Sequence, residues 1–221
     1  MSELPREWIT ATLGHSPRDP ALFEQALTHP SRGGPDYQRL EFLGDRVLAL
    51  AVAEWIYQRF PEEDEGQLSR RLNSLVARET CADVGRAIGL KSHLRLGKQA
   101  RSDGAADSDN VLGDVVEALI GALHIDGGVD VARAFIRSAW GSLLDGLTSA
   151  PRHPKAALQE WAAAHGHRQP VYSVEGRSGP HHAPRFRIAV EIAGVGNASA
   201  EAGSKQAAET AAAALLLEQV Q

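Results

Sequence analysis

The sequence predicts two domains of different class, an all-α domain followed by a small α+β domain of order α-β-β-β-α. Three observations carry this. Apolar residues recur at helical spacing, segment after segment, up to residue 147, and no strand-like alternation interrupts them. Thr148-Ser149-Ala150-Pro151-Arg152-His153-Pro154 then reads as a linker by composition. Beyond it, Phe186-Arg187-Ile188-Ala189-Val190-Glu191-Ile192 alternates apolar and polar with period two, as a half-buried strand does. The expected boundaries are 1–150 for the first domain, 151–154 for the linker and 155–221 for the second.

In order, residues 3–31 read as helical, with an apolar stripe of Leu22, Phe23, Ala26 and Leu27. His29 sits beside a turn, where a histidine most often hydrogen-bonds the local backbone. Gly33, Gly34 and Pro35 break the chain before a long helix that Pro61 stops. The acidic run Glu62 to Glu65 opens another helix, and a further one from Ala77 to Ile88 ends at Gly89, a C-terminal cap. Residues 102–109 are polar and without periodicity, and read as a mobile loop. Helices over about 111–128 and 129–147 close the domain. In the tail, a helix from Lys155 to His165 precedes strands near 171–175, 186–192 and 198–202, and an alanine-rich helix starts at Ser204.

The long helix opens Gln38-Arg39-Leu40-Glu41-Phe42-Leu43-Gly44-Asp45-Arg46-Val47-Leu48. Glu41 and Asp45 are four residues apart and so share one helical face. Asp114 and Glu117, three apart in Val111-Leu112-Gly113-Asp114-Val115-Val116-Glu117-Ala118-Leu119-Ile120, form a second such pair. One pair alone would be read as a salt-bridged surface. Two pairs in strongly apolar segments need compensation, since burying even an uncharged polar group costs roughly 2–7 kcal/mol. With oxygen donors and no Cys or His cluster, Mg²⁺ or Mn²⁺ fits better than zinc, and the matching chemistry is attack of a metal-activated water on a phosphodiester.

Composition narrows the rest. Of 221 residues, 43% are hydrophobic and 23% charged, which excludes disorder and fibrous repeats. The single cysteine, Cys81, excludes an internal disulfide and a cysteine-rich zinc site. The start carries no secretory profile and no apolar run is long enough to span a membrane, so a cytoplasmic protein is expected. No Walker loop, dinucleotide fingerprint or nucleophile triad competes, and no small-molecule cofactor is expected. The net charge of −5 is uneven: residues 1–151 hold 16 basic and 22 acidic side chains, residues 152–221 hold 7 and 6. Acidity gathers where a metal would bind, and nucleic-acid binding by the tail must rest on a few placed groups.

These stretches resemble the ribonuclease III family. Gln38 to Leu48 is similar to its signature helix nearly position for position, the Glu117-Ala118-Leu119-Ile120-Gly121 segment to its second acidic motif, and Glu65-Gly66-Gln67-Leu68-Ser69 to a further segment. The tail resembles the double-stranded-RNA-binding domain in that family's order. The resemblance implies an all-α endonuclease domain and a duplex-RNA-binding domain. It implies that Glu41, Asp45, Asp114 and Glu117 ligate Mg²⁺, with Mn²⁺ as substitute, that Asp45 and Glu117 are least replaceable, and that Glu65 helps shape the catalytic valley. It also implies a homodimer with Phe42 and Leu43 facing the partner, and cleavage that leaves 5′-phosphate and 3′-hydroxyl ends with a short overhang on ribosomal RNA precursors and structured messenger RNA. At matching positions, Gln159, Glu160 and His182 would contact the minor groove, and Ser204, Lys205 and Gln206 the phosphates.

One departure stands in the signature. Position 38 usually holds glutamate in the family and here is Gln38, which keeps hydrogen bonding and loses charge. Two rival readings follow: a catalytically silent duplex-RNA binder that keeps the fold, and a helical metal-storage or scaffold protein.

Overall fold

The structure is a computed structural model that describes residues 6–151, 153–180 and 184–220. It divides into a unit up to Pro151 and a second from Arg152.

In the first unit the helical stretch expected across residues 3–31 is two helices, α1 (Arg6–Leu13) and α2 (Pro20–Ala26). The reason is local. Gly14 takes φ 68° and ends α1, while the Asp19 side chain accepts from the Ala21 N–H and caps α2, with Pro20 in its first turn. The loop between them is tied down by Asp126, which accepts from the backbone N–H of Arg18 at 2.8 Å and of Asp19 at 2.7 Å and pairs with His15 at 2.6 Å.

Then come α3 (Gln38–Arg59), α4 (Glu65–Leu75), α5 (Arg78–Ala87), α6 (Lys98–Ser102), α7 (Asp109–Gly127) and α8 (Val129–Gly146). Asp64 and Gln67 form a capping box that starts α4. Arg71 anchors that helix: its buried guanidinium forks onto Glu63 and donates to the Leu147 carbonyl. The polar stretch 102–109 is not a structureless loop. Lys98–Ser102 is one short helix and Ala105–Asp107 a 3-10 turn, separated by Gly104 at φ 78°. Among the described residues of this unit, Thr28 and Arg95 make one isolated parallel β-bridge between otherwise helical elements.

The axis of this unit is α7. Val115, Val116, Leu119, Ile120 and Leu123 are fully buried on it, and α2, α3, α5 and α8 pack around it. Burying a side chain of that size stabilises by about 1.5–3 kcal/mol. The acids of α7 are therefore carried by a deeply buried, centrally packed helix.

In the second unit α9 (Pro154–Ala164) is followed by β1 (Val171–Ser178), β2 (Arg185–Ile192), β3 (Gly196–Ala202) and α10 (Lys205–Val220). The strands form an antiparallel meander in the order β1-β2-β3. Strand β1 runs three residues beyond its expected end, with a register shift between Val174 and Gly176. Ile188, Val190 and Ile192 are buried, as the alternation requires, and the core of this unit joins Val190 and Ile192 to Leu158 and Ala162 of α9 and Ala212 and Leu216 of α10. Among the described residues, no helix is long and apolar enough to cross a membrane.

Candidate active site

Helices α3 and α7 cross backbone against backbone. A Cβ added to Gly44 would overlap the Glu117 carbonyl oxygen and stand 2.9 Å from the Gly121 nitrogen; one added to Gly121 would overlap the Leu40 carbonyl oxygen. Glycine at both positions lets the axes approach until nothing but main chain separates them. The acids flanking these glycines are thereby drawn toward one crossing: Glu41 and Asp45 from α3, Asp114 and Glu117 from α7.

Three of them act on one another. Glu117 is pushed up to about 7, first by burial and then by the charges of Glu41 and Asp114. Burial raises Glu41 too, with Asp114 adding to it. Asp114 is raised by burial although Tyr37 and Arg78 pull the other way. Asp45 is set apart, partly exposed and paired with its neighbour Arg46. Among the described residues no three such side chains stand close enough to ligate one ion as they are; the acids share a field, not a closed coordination shell. The donors fit a hard divalent cation, being carboxylate oxygens whose negative charge is desolvated and mutually repelling. The nearest soft donor, the Cys81 thiol, is buried, and burial, with Glu117 beside it, pushes it up to about 12, so it stays protonated 3.9 Å from Glu117 Oε1.

Three neighbours were not singled out from the sequence. The Tyr37 hydroxyl donates to Asp114 Oδ2 at 3.3 Å, and burial together with Asp114 holds the phenol well above its ordinary value, so it remains a donor. Its place just before the acidic helix was the only signal. Cys81 and Arg78, both on α5, carry none, because only packing brings α5 against α7.

The other expected positions fall as follows. Glu65 is exposed at the start of α4, where its Oε1 accepts from Ser69 Oγ at 2.8 Å. Gln38 is the exposed first residue of α3. Phe42 is 67% exposed, whereas Leu43 packs in part against its own core. His29 is a local cap, its Nδ1 accepting from the Ser31 N–H at 3.0 Å. In the second unit Gln159 and Glu160 lie on the exposed side of α9. Ser204 Oγ accepts from the Ala207 N–H at 3.2 Å at the start of α10, with Lys205 and Gln206 exposed in its first turn. His182 lies outside the described residues.

Comparison with known proteins bears directly on this arrangement. Residues 19–142 match the family described as Ribonuclease-III-like, and residues 154–220 match the double-stranded RNA binding motif. The chain belongs to the ribonuclease III family. It is 62% identical to Ribonuclease 3 of Zymomonas mobilis over 211 residues, covering 96% of this chain and 86% of that one. It is 47% identical to Ribonuclease 3 of Rhodopseudomonas palustris, covering 95% and 79%. The nuclease domain of ribonuclease III from Campylobacter jejuni superposes with a TM-score of 0.60 at 30% identity, covering 63% of this chain and 97% of that one. A second structure of that domain is described by flexibility in its dimer-forming region. As a ribonuclease III, the chain is an endoribonuclease of double-stranded RNA, and the family depends on a divalent metal.

Proposed function

We propose that this ribonuclease III works as a cytoplasmic homodimer dependent on Mg²⁺, with Mn²⁺ able to replace it, held by Glu41, Asp45, Asp114 and Glu117. The observation that carries this is the crossing at Gly44 and Gly121, which brings acids from two separate helices into one electrostatic field and pushes Glu117 up to about 7. Such a bound ion lowers the pKa of a water and stabilises the charge that builds on the phosphodiester oxygens. The protein's own groups do the placing. Tyr37 orients Asp114, the Cys81 thiol touches Glu117, and the buried backbone of α7 holds both acids on a rigid support.

Each active site would cut one strand, leaving a 5′-phosphate and a 3′-hydroxyl with short 3′ overhangs on ribosomal RNA precursors and structured messenger RNA. Phe42, exposed on α3, would meet the partner subunit, with Leu43 beside it. Glu65 would border the valley that takes the duplex. The second unit would read duplex shape, with Gln159, Glu160 and His182 toward the minor groove and Ser204, Lys205 and Gln206 toward the phosphates. Its recognition spans about 16 base pairs in domains of this kind. The start of α10, exposed and bearing Lys205, suits phosphate capture.

Gln38 keeps the silent-binder reading alive, because it puts a neutral amide at the first turn of the acidic helix. Incubation with long duplex RNA, with Mg²⁺ and then with chelator, decides between them. Metal-dependent cutting to short duplexes is expected; a gel shift without cutting would make the protein a binder.

A further inference from the structure

Arg78 opens α5 and lies across α7 one residue before the acids. A Cβ on Gly113 would stand 3.2 Å from the Arg78 carbonyl oxygen and 3.4 Å from its Cγ, so the stem of this side chain runs directly over the residue that precedes Asp114. Its guanidinium is not spent on the acids. Nη1 donates to Asn110 Oδ1 at 2.8 Å, and among the described residues Arg78 has no carboxylate partner within 4.0 Å, in contrast to Arg46, which is committed to Asp45. Its charge still reaches the site, favouring the ionised forms of Glu41, Asp114 and Glu117 alike.

A free cation beside a metal site is electrostatically expensive, since it repels the metal that the acids attract. Were its task to neutralise the carboxylates, direct pairing would do so better; Asn110 instead holds it back. An anion arriving at the same place would be attracted by both. We propose that Arg78 is a substrate contact, its guanidinium fork gripping the oxygens of an RNA backbone phosphate laid over the acid crossing, with Asn110 as the latch that keeps the fork off the carboxylates. This deepens the nuclease reading and rests on it.

The test compares wild type with Arg78→Ala, Arg78→Lys and Asn110→Ala in the full-length protein. It measures cleavage of a duplex RNA against salt, and Mn²⁺ affinity without RNA. Arg78→Ala should lower kcat/KM about ten- to a hundredfold, as loss of a charged hydrogen bond does. It should also reduce the slope of log(kcat/KM) against log[salt] by about one, the signature of one lost phosphate contact. The same variant should bind Mn²⁺ more tightly, by about two- to fivefold on the scale of an exposed charge pair. Asn110→Ala should do the opposite to the metal, weakening it as the freed guanidinium drops onto the acids. Arg78→Lys should recover the salt slope but only part of the rate. A merely structural role would not give metal affinities of opposite sign. An unchanged salt slope in Arg78→Ala, or weaker Mn²⁺ binding by it, overturns the inference while leaving the nuclease intact. A wild type that does not cut duplex RNA overturns both.

Discussion

Gly44 of α3 is packed against the carbonyl of Glu117 so closely that no side chain can be placed there without moving one helix. The same residue pair sets how near the α3 acids come to those of α7. Gly44→Ala should therefore destabilise the protein by about 1–3 kcal/mol or more, as overpacking does, and separate the acids. Gly141 on α8 has nothing within 4 Å of an added Cβ, so Gly141→Ala should be neutral or slightly stabilising. Denaturant unfolding of the two variants side by side checks this, and equal midpoints would remove the close crossing as the organising contact.

Burial and two neighbouring carboxylates, Glu41 and Asp114, oppose ionisation of Glu117. That arrangement suits metal and strains the metal-free fold. Glu117→Gln should abolish Mg²⁺-dependent cutting, leave duplex binding in place, and raise the stability measured in chelator by roughly 1 kcal/mol, discounted for partial exposure. The added stability with Mg²⁺ should shrink in the variant, because fewer charged ligands remain. Undiminished cutting would show that the acid is not a ligand.

Asp126 answers to pH in the opposite sense. Burial pushes it up, but the backbone N–H groups of Arg18 and Asp19, together with His15, outweigh that and leave it below its ordinary value. A depressed carboxylate contributes stability that is present above its unfolded value near pH 4 and is lost as pH falls through the lower folded value. Asp126→Asn should flatten that acid limb and cost about 1–3 kcal/mol at pH 7, since the loop between α1 and α2 loses its anchor. Thermal melts from pH 7 to pH 3 would reveal it; parallel curves for the two proteins would contradict the assignment.

Phe42 is a large apolar side chain that α3 leaves in solvent, as it does Leu50 and Tyr57, and Arg46 is stacked 5.2 Å from the Phe42 ring centroid. Phe42→Glu should turn a dimer into a monomer in sedimentation at micromolar concentration and lower cutting with it. Leu43→Ala should act mainly on stability, because Leu43 packs inward. A monomeric wild type would remove the dimer from the proposal.

Much of this was legible in the sequence because it depends on near neighbours. The acids stood out as pairs at i, i+3 and i, i+4 in apolar surroundings, and the alternation of Phe186 to Ile192 announced β2. Proline at 61 marked the end of α3 by sterics, and the acidic run from Glu62 to Glu65 marked the start of α4, where the structure adds the Asp64–Gln67 capping box. Across residues 3–31 apolar periodicity runs on through Gly14 and Asp19, which end one helix and start another, so periodicity alone does not show the break. The segment 102–109 was too short for periodicity to register its turns.

By itself the sequence determined the long helices α3, α7 and α8, the second unit's element order and which acids must share a face, since each follows from spacing along the chain and the 3.6- and two-residue periods. Only the tertiary structure decided that Gly44 meets Gly121, that Tyr37, Cys81 and Arg78 reach the acids, and that Phe42 faces outward while Leu43 turns in. Those facts depend on how close two helix axes come and which faces pack together. That is a matter of volumes distant in sequence, and no local pattern encodes it.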